Sequence, residues 1–131
     1  MRVCEPSSGR RVLLVADDRR FRALAGTLLT RRGYVVSVCA RGEDLAAAAV
    51  RDGADVVVID ASASLTAAAR EAARLAALHR PVGIVAVSGD PHTGLVALPV
   101  IPKWSPFQAL LTAIERACAE MAPAEATSVA V

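Results

Sequence analysis

The chain of 131 residues is long enough for one ordinary globular domain. Its residues are 54% hydrophobic and 21% charged, which excludes a disordered or low-complexity protein, and no apolar run approaches the ~20 residues that span a membrane. The net charge is only +2 and aromatic residues make up 3%, so we expect no direct nucleic-acid binding by this chain.

Short β-branched runs alternate with longer stretches of helical period, a pattern typical of a parallel α/β sheet. Three of the strand candidates are apolar almost throughout, as strands covered on both faces must be. The predicted strands are Arg11–Ala16, Tyr34–Cys39, Ala54–Ile59, Val82–Val87 and Leu98–Ile101. The predicted helices are Arg19–Arg32, Glu43–Asp52, Leu65–Arg80 and Pro106–Met121.

Local signals mark two of the helix ends. Gly33 stands where a glycine commonly ends a helix with a positive φ. Ser105 and Pro106 suit the N-cap and the first position of the last helix, and Gln108 completes a capping box. We therefore predict one domain, residues 10–121, between an N-terminal tail of residues 1–9 and a C-terminal tail of residues 122–131.

The connection between the fourth and fifth strands is unusually short. Only fourteen residues separate Ser88 from Lys103, and they must include a strand of about five. About nine are left for two loops and a crossover helix, which by itself averages about 11 residues. We predict at most one helical turn in residues 89–97, and an edge position for the fifth strand because of Pro99 and Pro102.

Polar residues follow four of the five predicted strands. Asp17 and Asp18 follow the first, Asp60 the third and Ser88 the fourth, while Lys103, the only lysine, follows the fifth strand after one proline. Open α/β sheets bind ligands at the carboxyl ends of their strands. We therefore expect three carboxylates, one hydroxyl and one ammonium group at the same edge of the sheet.

This combination of groups indicates a particular chemistry. Two carboxylates about 4 Å apart repel by roughly 4 kcal/mol at an effective dielectric near 20, so either protons or a divalent cation must relieve the repulsion. Hard oxygen ligands with room for water suit Mg²⁺. A lysine and a hydroxyl then remain to bind an anion. Together these groups indicate phosphoryl transfer onto an aspartate.

On these residues the sequence resembles the receiver domains of two-component response regulators. The resemblance runs from about residue 10 to residue 119 and rests on VLLVADD ending at Asp18, VVVID at Asp60, VAVS at Ser88 and VIPK at Lys103. It implies a flavodoxin-like, doubly wound α/β fold with five parallel strands in the order 2-1-3-4-5. In this chain the fourth helix of that fold would be truncated.

The resemblance also implies a role for each site residue. Asp60 would accept the phosphoryl group, and Ser88 and Lys103 would bind its oxygens. The cofactor would be Mg²⁺, and its ligands would be Asp17, Asp18, Asp60 and a backbone carbonyl near Ser62.

The partners implied are a sensor histidine kinase or phosphotransfer protein as donor and a downstream protein that responds to changed contacts. The domain would be a phosphoacceptor, not an enzyme, apart from slow reactions with small donors and water. A homodimer is compatible with this role. The three cysteines Cys4, Cys39 and Cys118 have no disulfide or zinc spacing, which favours reduced thiols in a cytoplasmic protein without membrane contact.

Several positions depart from the usual pattern of the family. Ser64 and Ala68 stand where a proline and a glycine usually follow the phospho-acceptor, and Trp104 replaces the proline after the lysine. Val100 replaces the aromatic residue of the fifth strand and is too stiff to swing between two positions. The groups for phosphorylation are thus present, whereas those that transmit its effect differ. We expect Gly89–Val96 to respond instead.

Two other functions remain open from the sequence. An atypical receiver could act as an interaction module without phosphorylation, with its altered loops as the binding surface. A flavin- or nucleotide-binding protein of doubly wound fold would need a Gly-rich phosphate loop after the first strand, but Ala16–Arg19 is acidic and has no glycine. A small phosphodonor with Mg²⁺ separates the first two functions, because it modifies Asp60 only in a phosphorylatable receiver.

Overall fold

Five strands and four helices alternate along the chain in a computed structural model that describes residues 9–39, 43–62, 64–89 and 100–121. Within these residues the order is β, α, β, α, β, α, β, β, α. The strands are β1 (Arg11–Val15), β2 (Val35–Val38), β3 (Val56–Asp60), β4 (Gly83–Ser88) and β5 (Val100–Pro102). The helices are α1 (Arg19–Arg31), α2 (Leu45–Asp52), α3 (Leu65–Ala76) and α4 (Phe107–Met121).

The strands form one parallel sheet in the order β2-β1-β3-β4-β5. The middle strands β1, β3 and β4 are apolar and mostly buried, because helices cover both faces of the sheet. β5 lies at an edge, as its prolines predict. The predicted flavodoxin-like, doubly wound fold is confirmed.

Two hydrophobic layers hold the helices on the sheet. Alternate residues of β1 point to opposite faces, so that Leu14 packs with α1 and α4 while Leu13 packs with α2 and α3. Both leucines have no exposed surface. Cys39 and Cys118 are buried, one in each layer.

Local capping explains where α1 begins and ends and where α2 begins. Asp18 caps α1, and Gly33 follows the end of that helix with φ 96°, as predicted. Asp44 caps α2 in an extended conformation, so α2 begins at Leu45 and not at the predicted Glu43.

Other predicted ends were wrong by up to four residues. α3 stops at Ala76 and not at Arg80, because the amides of Ala77 and Leu78 bond to carbonyls three residues back and close the last turn. α4 begins at Phe107, and the hydroxyl of Ser105, expected to cap it, donates to the carbonyl oxygen of Pro102 at 2.7 Å.

Some predictions concern residues outside the described ranges. Both tails fall there except Gly9, and so does the connection between β4 and β5 except Gly89. The truncated helix between those strands therefore stays a prediction. None of the helices in the described ranges is both long and apolar enough to cross a membrane.

Candidate functional site

The carboxyl ends of β1, β3, β4 and β5 bring the predicted site residues to one edge of the sheet. Asp60 and Ser88 close β3 and β4, one residue later than the strands predicted from the sequence. The ladder between β4 and β5 continues past the strand, because the Lys103 amide donates to the Ser88 carbonyl oxygen at 2.8 Å. This bond sets Lys103 beside the end of β4.

Lys103 forms salt bridges with two of the predicted carboxylates. Its ammonium nitrogen lies 2.7 Å from Oδ2 of Asp60 and 2.8 Å from Oδ2 of Asp18. The side chains of Lys103 and Asp60 are only 6% and 8% exposed, whereas that of Asp18 is 31% exposed. A charge this deeply buried is stable only when it is paired, so the three side chains form one electrostatic unit.

Asp18 serves both this unit and the helix that follows it. Its Oδ1 accepts hydrogen bonds from the amides of Arg20 and Phe21 at 2.9 and 3.1 Å, while its Oδ2 faces Lys103. The start of a helix favours a negative charge. The capping geometry thereby fixes the carboxylate that points to the lysine.

Asp60 is held by the loop that follows β3. Its Oδ1 accepts a hydrogen bond from the Ser62 amide at 3.0 Å, and the Ser62 hydroxyl accepts one from the Gly89 amide at 2.9 Å. The loops after β3 and β4 are therefore linked through Ser62. The sequence predicted only a backbone carbonyl near Ser62, although a Ser two residues after an Asp is a typical turn pattern.

The charges in the unit shift the pKa values of two of its members. The hydrogen bond from Lys103 lowers the pKa of Asp18, and the amide of Phe21 lowers it further. Burial alone would lower the pKa of Lys103, but its hydrogen bonds to Asp18 and Asp60 outweigh burial and raise it. Lys103 therefore stays protonated at neutral pH.

Two aromatic rings next to Lys103 were not anticipated as site residues. The ammonium nitrogen lies 5.5 Å from the ring centroid of Phe21 and 5.8 Å from that of Trp104. The two rings contact each other edge to face, with centroids 5.9 Å apart and planes at 85°. A cavity of about 80 Å³ beside them is lined by α1, β5 and α4, with Leu28 and Leu110 among its walls.

The two other predicted side chains of the site are those of Ser88 and Asp17. Ser88 is 5% exposed at the end of β4, and Asp17 is exposed in the loop before α1. Throughout the described ranges, no three His, Cys, Asp or Glu side chains gather closely enough to form a metal-binding group. The part of Asp17 in a metal site stays a prediction.

The carboxylates of Asp18 and Asp60 are the candidate ligands for Mg²⁺. Asp18 and Asp60 offer hard carboxylate oxygens that share one lysine, so their Oδ2 atoms are no further apart than the sum of their distances to it. Mg²⁺ is usually bound by one or two carboxylates and keeps several waters. The chemistry of these two side chains fits that ion.

The chain was compared with known families and structures. No protein-family model matches it, and no curated protein sequence does. It is similar to a response regulator from Thermotoga maritima, with 18% identity, a TM-score of 0.71, and coverage of 85% of this chain and 98% of the other.

Two further solved structures have the same fold. A receiver domain from Methylobacillus flagellatus is 24% identical, with a TM-score of 0.63 and coverage of 82% of this chain and 99% of the other. The BeF3-activated receiver domain of RstA from Klebsiella pneumoniae is 19% identical, with a TM-score of 0.63 and coverage of 79% and 93%. This chain therefore has the fold of response regulator receiver domains.

Proposed function

We propose that this chain is a receiver domain that accepts a phosphoryl group on Asp60 from a phosphohistidine of a sensor histidine kinase or phosphotransfer protein. The observation that carries the proposal is the buried contact of Lys103 with Asp60 and Asp18, at the carboxyl edge of a sheet with the receiver fold. The phosphorylated state would be recognised by a downstream protein partner in the cytoplasm.

Asp60, Lys103 and Ser88 each have one role in the proposed phosphoryl transfer. A carboxylate oxygen of Asp60 bonds to phosphorus while the bond from phosphorus to the donor imidazole breaks, and the imidazole nitrogen keeps the bonding electrons. The ammonium group of Lys103, 2.7 Å from Asp60, offsets negative charge at the reacting carboxylate. Once the phosphoryl group is attached, the same ammonium group neutralises its oxygens, and the buried hydroxyl of Ser88 is the candidate hydrogen-bond donor to them.

The proposed cofactor is Mg²⁺. Asp18 and Asp60 would hold it, with Asp17 and the backbone carbonyl near Ser62 as further ligands. When bound, Mg²⁺ would supply positive charge that offsets the charge developing on the transferred oxygens. Asp18, at 31% exposure, is the carboxylate of the pair that solvent reaches.

Intact-mass spectrometry tests the proposal. Incubation with acetyl phosphate and Mg²⁺ should add one phosphoryl group to the wild type and none to Asp60→Asn. The matched control is Asp52→Asn, because Asp52 ends α2 and pairs on the surface with Arg51, away from the site. The control should be labelled like the wild type. Equal labelling of wild type and Asp60→Asn would show that the acceptor lies elsewhere.

A second function, an interaction module that works without phosphorylation, is favoured by the apolar surface beside the site. Trp104 and Leu24 are 55% and 51% exposed on the rim of the 80 Å³ cavity. Solvent-exposed apolar side chains of this size are common at protein interfaces. A wild-type protein that is folded but gains no mass with acetyl phosphate and Mg²⁺ would favour this second function.

A further inference from the structure

The two aromatic rings beside the only lysine have a role of their own in the site. We propose that Phe21 and Trp104 form an aromatic clamp that holds the ammonium group of Lys103 against Asp18 and Asp60, which makes both rings positioning residues. The consequence for phosphoryl transfer rests on the proposed function. The clamp itself can be tested without it.

The distances place the ammonium group within reach of both π-systems. Its nitrogen is 5.5 Å from the Phe21 ring centroid and 5.8 Å from the Trp104 centroid. A cation within about 6 Å of an aromatic ring is attracted by the negative face of the ring, and tryptophan is the strongest partner. Both rings therefore act on the same charge that binds the carboxylates.

The burial of Lys103 strengthens its attraction to the two rings. The Lys103 side chain is 6% exposed, so water solvates its ammonium group very little. Two of the three ammonium donors are accounted for by Asp18 and Asp60. The π-faces of the clamp then replace part of the lost hydration, and they do so without adding a competing hydrogen bond.

Each ring belongs to a residue that lies close in sequence to one of the charged residues of the site. Phe21 lies about one helical turn after Asp18. Its amide donates one of the two hydrogen bonds that the Asp18 carboxylate accepts from the start of the helix. Trp104 directly follows Lys103. The edge-to-face contact of the rings therefore connects the loop that carries the lysine with the helix start that carries the carboxylate.

Packing alone explains Trp104 poorly. The residue is 55% exposed, so much of the large indole surface stays in contact with water. A leucine at this position would keep apolar volume but has no π-face. The contact with the ammonium group is what distinguishes an aromatic residue from leucine at this position.

Two substitutions at Trp104 separate the ring from its bulk. Trp104→Phe keeps an aromatic face, whereas Trp104→Leu keeps only apolar volume. Because Lys103 is the only lysine, isotope-labelled lysine gives one set of side-chain NMR signals, whose ring-current shifts report the clamp directly. We expect these shifts to persist in Trp104→Phe and to move towards free-lysine values in Trp104→Leu. Backbone amide spectra of both variants verify the fold.

The rate of labelling by acetyl phosphate with Mg²⁺ gives the second readout. Loss of a cation–π contact of about 0.5–2 kcal/mol corresponds to a roughly two- to thirtyfold slower reaction in Trp104→Leu, with recovery in Trp104→Phe. Unchanged lysine shifts in Trp104→Leu would overturn the clamp, and so would a Trp104→Phe variant that loses them. Lysine shifts that follow the ring in a protein that no phosphodonor modifies would support the clamp and contradict the proposed function instead.

Discussion

Lys103 contacts two carboxylates, and the three side chains differ in exposure. Asp60 and Lys103 are almost fully covered, whereas about a third of the Asp18 side chain meets solvent. Removal of one partner from a buried pair leaves an uncompensated charge, which is strongly destabilising. Each member of the unit therefore contributes to the fold as well as to the chemistry. Asp60→Asn is a better probe than a truncation, because it keeps the shape of the side chain and leaves Asp18 to pair with Lys103.

The positions of Asp18 and Asp17 predict which of the two contributes more to Mg²⁺ binding. Asp18→Ala should weaken Mg²⁺ binding sharply, because it removes one of the two carboxylates that share Lys103. Asp17→Ala should weaken it less, because Asp17 is exposed in the loop before α1 and would act on the ion through water. Titrations followed by the fluorescence of Trp104, the only tryptophan, measure both effects. Equal losses in the two variants would contradict this ranking, and a wild-type emission unchanged by Mg²⁺ would argue against a metal site here.

At the scale of elements, the packing of α4 on β4 depends on a glycine. A Cβ atom at Gly83 would lie 3.0 Å from Cβ of Ala117 in α4 and 3.1 Å from Cγ2 of Val56 in β3. At these distances Ala117 or Val56 must shift by a few tenths of an ångström to make room. We expect Gly83→Ala to lower the free energy of unfolding by about 1–3 kcal/mol, as overpacking of a core does. Urea denaturation measures the change.

The matched control is a glycine with open space around it. Gly26 lies within α1, and a Cβ atom there would meet no atom within 4 Å. Gly26→Ala should raise the free energy of unfolding by about 0.5–1 kcal/mol, because alanine is the better helix former. If both substitutions destabilise equally, the close contact between α4 and β4 is not the cause.

The start of α2 has a predictable dependence on pH. Asp44 caps α2 and also meets Arg74 of α3 at 3.2 Å. The amide of Ala47 first, and the charge of Arg74 after it, lower the pKa of Asp44. A carboxylate whose pKa is lower in the folded protein stabilises the fold above its unfolded pKa of about 4, and this contribution is lost as the pH falls through the folded value.

Asp44→Asn isolates that contribution. Asparagine caps a helix about as well as aspartate but does not titrate. Thermal unfolding between pH 7 and pH 2 should therefore show a smaller acid-induced fall in stability for Asp44→Asn than for the wild type. Parallel pH curves for the two proteins would mean that Asp44 has the same pKa in the folded and unfolded states.

At the scale of the whole molecule, a change at Asp60 has a short route to the neighbouring loop. The Ser62 amide bonds to Asp60, and the Ser62 hydroxyl accepts from the Gly89 amide. Val100 is too stiff in its side chain to replace a swinging aromatic residue. A signal that is felt at a distance requires some other two-state element.

Hydrogen exchange tests whether that element follows Gly89. We expect beryllium fluoride, which mimics a phosphoryl group, to change exchange mainly in residues 89–96 and at the start of α4. Residues 90–96 lie outside the described ranges, so the amide of Gly89 is the structural marker. Asp60→Asn with the same reagent is the control. Unchanged exchange in this segment, with the site demonstrably occupied, would favour the interaction module over a switch.

The elements and the edge of the sheet that carries the chemistry were readable from the sequence. Apolar runs such as that of β3 identify buried strands because hydrophobic periodicity is a local property. Polar residues at the ends of such runs then share an edge in any parallel sheet. Helix ends were less certain. The last turn of α3 and the start of α4 depend on which carbonyl each amide or hydroxyl meets.

The contacts within the site were decided only by the tertiary structure. Asp18, Asp60 and Lys103 come from three separate strand ends, and sequence pattern does not say which carboxylates a lysine reaches. That depends on the strand order, the ladder that continues to Lys103, and the cap that turns Asp18 inward while Asp17 stays exposed. Long-range contacts follow from the register and packing of whole elements, because these set side-chain positions to within the few ångströms over which a salt bridge forms.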